Sequence, residues 1–225
     1  MNTNPATVVV RVWLPDRPGA LGAVASRIGG VRGDVMAIDV LERGGGRAVD
    51  ELTVTLADGE LVDLLVSEIG QVEGVDVEDV RPLRDDGIDR VVSAVTAARR
   101  LTEVVDPVDL DRVLCEQACA VLHADWVCVI EPTHGVLAAM CRAEADASEP
   151  PEVSWLAALV GGLTPADTDT VGTVDELVVV RLGSGSSLVL ARTALPLRAV
   201  ECTVLVELAR IADIVSAPRA LDRPA

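Results

Sequence analysis

A short turn near the start of the sequence has the residue types and spacing that suit binding of a small anion. Here an alternating apolar run meets a helical pattern, and the turn reads Asp16, Arg17, Pro18, Gly19, Ala20, Leu21. Glycine at such a junction lets a ligand approach the backbone. The first N–H groups of the helix, around Ala20 and Leu21, have no partner within the helix, and this end attracts a carboxylate. The alternative is that Pro18 and Gly19 only shape the turn.

Two thiols and an imidazole recur every fourth residue farther along the chain, at Cys115, Cys119 and His123. A helix would place all three on one side, where they could offer soft ligands to a metal. A zinc site needs a fourth ligand and normally gathers paired ligands from separated segments. We favour the alternative that both thiols are small core residues. We therefore expect no metal and no other cofactor.

Cysteine catalysis is the second chemistry that the sequence offers. A thiol nucleophile at Cys128 or Cys141 would need a base and an electropositive environment, and the two histidines, His123 and His134, are the candidate bases. The net charge of −17 argues against such an environment. Glu131, close to His134, fits a solvated hairpin turn better than an acid–base pair. We expect a protein that is not an enzyme.

Composition excludes several further classes of function. All 19 basic residues are Arg, which removes Schiff-base lysines and the lysine of a phosphate-binding loop. Against 36 acidic residues they leave a charge that repels nucleic acid and anionic membrane surfaces, so neither is an expected partner. The glycine-rich run 183–187 joins two strand patterns, which favours a hairpin over a phosphate loop.

The sequence predicts a soluble, cytoplasmic protein. Its start lacks a basic segment followed by a long apolar stretch, and charges interrupt the apolar runs before about 18 residues. Five Cys, an odd number without an export signal, are best explained as reduced thiols.

The elements that must position the turn follow a simple order in residues 1–84. Alternation and helical periodicity predict β-α-β-β-α-β, which is the ferredoxin-like plan with two helices on one face of an antiparallel sheet. The opposite face is expected to be bare. The predicted strands are Thr7–Leu14, Asp34–Glu42, Ala48–Leu56 and Gly74–Val80; the helices carry Leu21, Val24, Ala25 and Ile28, then Leu61, Leu64, Leu65 and Ile69.

Residues 85–225 form a second predicted α+β domain with an antiparallel sheet. A helix carrying Ile88, Val91, Val92 and Val95 opens it, and the stretch Thr170–Asp175 is expected to be a loop. The other predicted elements are a helix after Asp106-Pro107, strands Trp126–Ile130 and Val136–Arg142, a helix around Trp155–Val160, strands Glu176–Leu182 and Ser187–Arg192, and a helix Leu197–Val215.

The first half resembles the ACT domain family of regulatory amino-acid-binding modules. The resemblance covers about 80 residues and rests on Val10-Arg11-Val12 leading into Asp16–Leu21, on Gly33–Val40, and on Asp50-Glu51-Leu52-Thr53-Val54. It implies an amino-acid ligand lying between two ACT modules, with this turn facing the second strand of the neighbouring copy. That strand would supply Asp34, Val35, Met36, Ala37 and Ile38. The family often has Asn where this chain has Asp34, whose carboxylate accepts hydrogen bonds only and could hold an ammonium group.

The second half resembles a short GAF-type domain. The resemblance rests on Glu176–Val180, the glycine hairpin, Ser187–Ala191, and Leu195-Pro196-Leu197 leading into the last helix. The segment between Glu144 and Asp175 is short for a ligand enclosure, and no ligand-contacting residue is carried over.

These observations lead to one main hypothesis and one alternative. The main hypothesis is a non-catalytic homodimeric sensor, whose ACT-like domain binds a small amino acid at the subunit interface and relays this to the GAF-like half. Dimerisation would involve the bare sheet and the helices that flank the second domain. In the alternative, the ACT-like domain has no ligand and serves as an assembly module that binds a protein partner.

Overall fold

The computed structural model describes residues 4–83, 89–131, 133–143, 147–162, 171–174, 177–193 and 195–217. The chain divides into two compact units, one of residues 1–90 with 198–200 and one of 91–197 with 201–225. The predicted boundary between residues 84 and 85 lies outside the described residues. Each helix among those residues is too short or too polar to cross a bilayer.

The first unit has the predicted ferredoxin-like topology. Its elements are β1 (Ala6–Pro15), α1 (Ala20–Gly30), β2 (Asp34–Gly44), β3 (Arg47–Leu56), α2 (Val62–Gly70) and β4 (Asp76–Pro82). The antiparallel sheet has the strand order β2-β3-β1-β4. The β2–β3 hairpin turns at Gly45 and Gly46, whose positive φ angles of 59° and 78° favour glycine.

The hydrophobic core of this unit lies between the sheet and the two helices. Even-numbered residues of β1 alternate into it, and so do those of β3 from Leu52 onward, because side chains two apart share one face of a strand. Helix α1 contributes Ala20, Val24 and Ile28, which are four residues apart and so share one helix face. The predicted apolar faces of β1 and α1 are therefore confirmed.

The opposite face of the sheet is not bare, contrary to the sequence-based expectation. Arg11 is fully buried in β1, directly across from Glu51 in β3, which is 4% exposed. Arg11 donates to Glu51 Oε1 from Nε at 2.9 Å and from Nη2 at 2.7 Å, and Arg81 and Arg90 also pair with this carboxylate. In an alternating strand pattern an arginine is expected to face solvent. Its burial can be recognised only once the oppositely charged residue on the neighbouring strand is known.

The chain continues with the elements of the second α+β fold. They are α3 (Arg90–Thr102), α4 (Leu110–Leu122), β5 (Trp126–Glu131), β6 (Val136–Arg142), α5 (Val153–Gly162), β7 (Val171–Val174), β8 (Leu177–Arg181), β9 (Ser187–Ala191) and α6 (Ala199–Ser216). The sheet is antiparallel, with the order β6-β5-β9-β8-β7.

The second sheet is buried on both faces at its centre. Alternate residues of its central strand β5 point to opposite sides, so Val127 and Val129 join the core formed with α4 and α6. Trp126, Cys128 and Ile130 join a separate core with α5. Such two-sided burial explains why β5 reads as a continuous apolar run instead of an alternating one.

A buried ion pair in the second unit ties the end of β9 to α6. Arg192 pairs with Glu201 through two hydrogen bonds of 2.8 and 2.9 Å. Its guanidinium also donates to the backbone carbonyls of Leu122, Leu195 and Pro196. Because these partners lie in α4, in the segment after β9 and in α6, Arg192 holds the chain that leads into α6 in one arrangement.

One prediction for the second half was wrong, whereas the helix predicted to carry Val91, Val92 and Val95 forms. The supposed loop 170–175 contains β7, which pairs with β8; Thr170 and Asp175 themselves lie outside the described residues. Helix α3 forms, but Val91, Val92 and Val95 are 60–68% exposed, and its buried residues are Ala97 and Leu101. Helical spacing shows which residues share a face of the helix, but it does not show which face packs against other elements. The predicted Ile88 lies outside the described residues.

Candidate functional site

The turn between β1 and α1 is held by its own backbone. Asp16 N–H donates to Gly46 O at 2.9 Å, and Arg17 N–H donates to Pro15 O at 2.8 Å. Gly19, the residue before the helix, has φ 88°, and a Cβ placed on it would meet nothing within 4 Å. Glycine is therefore favoured here by the backbone angle, and the space beside it is open to a ligand.

The N-terminus of α1 offers two unused donors. The Ala20 N–H, expected to be unpartnered, donates to Arg17 O at 3.3 Å, and the Ala23 N–H donates to Gly19 O at 2.9 Å. Within the described part of the chain, the N–H groups of Leu21 and Gly22 have no acceptor. The first turn also has no side-chain cap and no acidic residue, so the positive end of the helix dipole is uncompensated.

A cavity of about 400 Å³ opens at this turn. Most of the predicted turn residues line this cavity, whereas Ala20 is buried and does not line it. The cavity is lined by Leu14, Pro15, Asp16, Arg17, Pro18, Gly19, Leu21, Arg43, Ala48 and Asp50. Its size suits a small metabolite.

The second predicted wall is not part of this cavity within one chain. Asp34 pairs with Thr55 of β3, whereas Leu14, at the turn, pairs with Ala48 of the same strand. Thr55 and Ala48 are seven positions apart along β3, which is about 23 Å at about 3.3 Å per residue. Of this wall, Asp34, Met36 and Ile38 are exposed and Val35 and Ala37 are half-buried. Strand pairing therefore keeps Asp34 away from the turn of the same chain.

Asp50 is a cavity residue whose role the sequence analysis missed. It lies on the helix-facing side of β3 and is 3% exposed, and among the described residues its Oδ1 has no hydrogen-bond partner. Burial raises the pKa of Asp50, Asp16 raises it further, and Arg43 opposes both. The sequence does contain a signal for this role. In the alternation Ala48, Asp50, Leu52, Asp50 occupies a position at which a core-facing apolar residue is expected.

The cysteines predicted as alternative sites lie mainly in the core. Cys115 and Cys128 are fully buried, and burial raises the pKa of both thiols, that of Cys128 to about 12. Cys119 Sγ donates to Ala124 O at 3.4 Å, and His123 ends α4 with a left-handed backbone. Across the described ranges, no three His, Cys, Asp or Glu side chains are grouped to hold a metal.

The remaining candidates lie in strands of the second sheet or in the turns between them. His134 is exposed beside Glu131, with 2.8 Å from Nδ1 to Oε2, and this hydrogen bond lowers the pKa of Glu131. Cys141 lies on β6 and is half-buried. The glycine-rich run 183–187 connects β8 to β9 as the predicted hairpin, with Gly185 at φ 89°.

Comparison with known proteins yields similarities of fold. No protein-family model and no curated protein matches the chain. The ACT domain of GTP pyrophosphokinase from Chlorobium tepidum is 16% identical, with a TM-score of 0.30, covering 36% of this chain and 100% of that one. An uncharacterized protein from Thermotoga maritima is 20% identical, with the same coverages and a TM-score of 0.30.

The GAF domain of an Acinetobacter phosphoenolpyruvate-protein phosphotransferase covers a larger share of this chain. It is 12% identical, with a TM-score of 0.43, and the match spans 58% of this chain and 94% of that one. The neighbours thus include both domain types that the sequence resembles. At these identities the likeness concerns the fold alone.

Proposed function

We propose that this protein is a non-catalytic regulator whose first domain binds a small amino acid at the β1–α1 turn. The observation that carries the proposal is the pair of unused N–H donors of Leu21 and Gly22 beside an open cavity. A carboxylate placed there would satisfy both donors and interact favourably with the helix dipole. Because the thiols of Cys115 and Cys128 are buried and weakly acidic, a binding role is favoured over a catalytic one.

We further propose that the ligand is enclosed between two copies of the chain. Edge strand β2 exposes Met36 by 51%, Ile38 by 43% and Val40 by 37%, and its outer backbone groups are available for another strand. A second copy packed on this edge would bring its Asp34–Ile38 segment to the turn. Binding would then change the relative stability of two dimer arrangements, and the second domain would respond to that change.

A thermal-shift panel of the twenty standard amino acids tests the binding proposal. An amino acid present at 100 times its Kd should stabilise the protein by about 2.7 kcal/mol. Gly19→Val should abolish this response, because a β-branched residue is strained at φ 88° and its side chain fills the open space. Gly185→Val is the matched control, since Gly185 has φ 89° and equally open surroundings in the other unit.

The alternative function is a ligand-free assembly module, and the exposed β2 edge favours it independently of the cavity. It predicts a dimer with no response to any amino acid. Sedimentation velocity should show that Ile38→Asp dissociates the dimer. Leu64→Asp is the control, because Leu64 is 46% exposed on α2, away from the edge strand. A monomeric wild-type protein would contradict both functions as stated.

A further inference from the structure

Asp50 differs from the other buried charged side chains of the described residues. Arg11 and Glu51 pair with each other, and Arg192 and Glu201 do the same. Asp50 is equally buried, yet it has no hydrogen bond and no ion pair in that part of the chain. A carboxylate held in this way costs free energy unless something else supplies a donor.

The cavity that Asp50 lines carries balanced charges. Two guanidinium groups, of Arg17 and Arg43, and two carboxylates, of Asp16 and Asp50, face it in a chain whose net charge is −17. Arg43 and Asp16 approach each other at 3.8 Å and are largely exposed, so they form a weak pair at the rim. The buried member of the set is Asp50, which needs a hydrogen-bond donor.

Leu21, one of the two residues with an unused donor, and Asp50 lie on different walls of this one cavity. The unused N–H groups belong to the first turn of α1, whose Leu21 lines the cavity, and Asp50 lies on the adjoining face of β3. A molecule with a carboxylate at one end and an ammonium group at the other matches both walls. A simple carboxylic acid would leave Asp50 unsatisfied.

We propose that Asp50 receives the ammonium group of the ligand, so that a single copy of the chain recognises both ends of a zwitterionic amino acid. This proposal rests on the function proposed above and deepens it, because it names the group that would select amino acids over simple carboxylates. It also assigns ammonium recognition to a residue that lines the cavity of the same chain, instead of to Asp34 of a second copy.

Isothermal titration calorimetry with wild type and Asp50→Asn tests the assignment, using each of the twenty amino acids as the probe. An amino acid that binds wild type should bind Asp50→Asn tenfold to a hundredfold more weakly, about the loss expected for a charged hydrogen bond. Asp63→Asn is the control, because it removes one exposed carboxylate from the same unit without altering the cavity. Asp50→Ser should show the same loss, and near-ultraviolet circular dichroism checks that each variant is folded.

The matching deaminated acid provides a second arm of the experiment. For L-leucine this probe is 4-methylpentanoate, which should bind wild type at least tenfold more weakly than leucine does and should not distinguish Asp50→Asn from wild type. Equal affinity of Asp50→Asn and wild type for an amino acid would overturn the assignment and leave the proposed function standing. Failure of wild type to bind every amino acid would overturn both.

Discussion

Protonating or replacing Glu51 should destabilise the first domain by several kcal/mol. Burial alone would raise the pKa of this carboxyl, but the guanidinium groups of Arg81, Arg11 and Arg90 outweigh it and lower the pKa from 4.5 to about 2. The difference corresponds to about 3 kcal/mol of stabilisation. Removing the charge by mutation should cost about 3 to 5 kcal/mol, because the fully buried Arg11 loses its ion pair with the Glu51 carboxylate.

The sign of the pH dependence follows from the lowered pKa. The stabilisation by Glu51 is fully present above pH 4.5 and is lost as the pH falls toward 2. The free energy of unfolding of Glu51→Gln should therefore lie well below that of wild type at pH 7. The gap should close progressively as the pH falls from about 5 to about 2.

Urea unfolding followed by circular dichroism at several pH values measures this gap. The control is Glu68→Gln, which removes an ion pair to Arg27 whose members are 28% and 43% exposed and should change stability by less than about 1 kcal/mol. A gap below about 1 kcal/mol at pH 7, or one of constant size down to pH 3, would refute the reasoning that the three arginines stabilise the Glu51 carboxylate.

Two further predictions concern other buried charges. Asp50→Asn should increase the free energy of unfolding of the ligand-free protein at pH 7, because burial raises the pKa of Asp50 on folding, and the gain should vanish below the ordinary pKa of 3.8; urea unfolding at pH 7 and pH 3 measures both. Arg192→Met should destabilise the second domain by about 3 to 5 kcal/mol, because it removes the guanidinium that pairs with the buried Glu201 carboxylate; a loss below about 1 kcal/mol in thermal unfolding would contradict the role given to this pair.

The candidate site was only partly predictable from the sequence. The β1–α1 turn was located correctly because a strand pattern, a proline, a glycine and a helical pattern are consecutive in the chain. The geometry of the turn decides which N–H groups remain unused, because in this geometry the Ala20 N–H donates to Arg17 O. The position of Asp50 beside the turn depends on the pairing of β3 with β1, which joins residues 38 positions apart, Val12 and Asp50.

The sequence alone determined the order of elements in the first domain and the apolar faces of β1 and α1, because side-chain alternation and helical periodicity depend on neighbouring residues. Only the tertiary structure decided which faces are covered. It buried Arg11 against Glu51 and left Val91, Val92 and Val95 exposed, although the local pattern suggested the reverse. Likewise β7 is a strand because β8 offers it hydrogen bonds. Burial and pairing depend on partners distant in the chain, and periodicity within one segment carries no information about them.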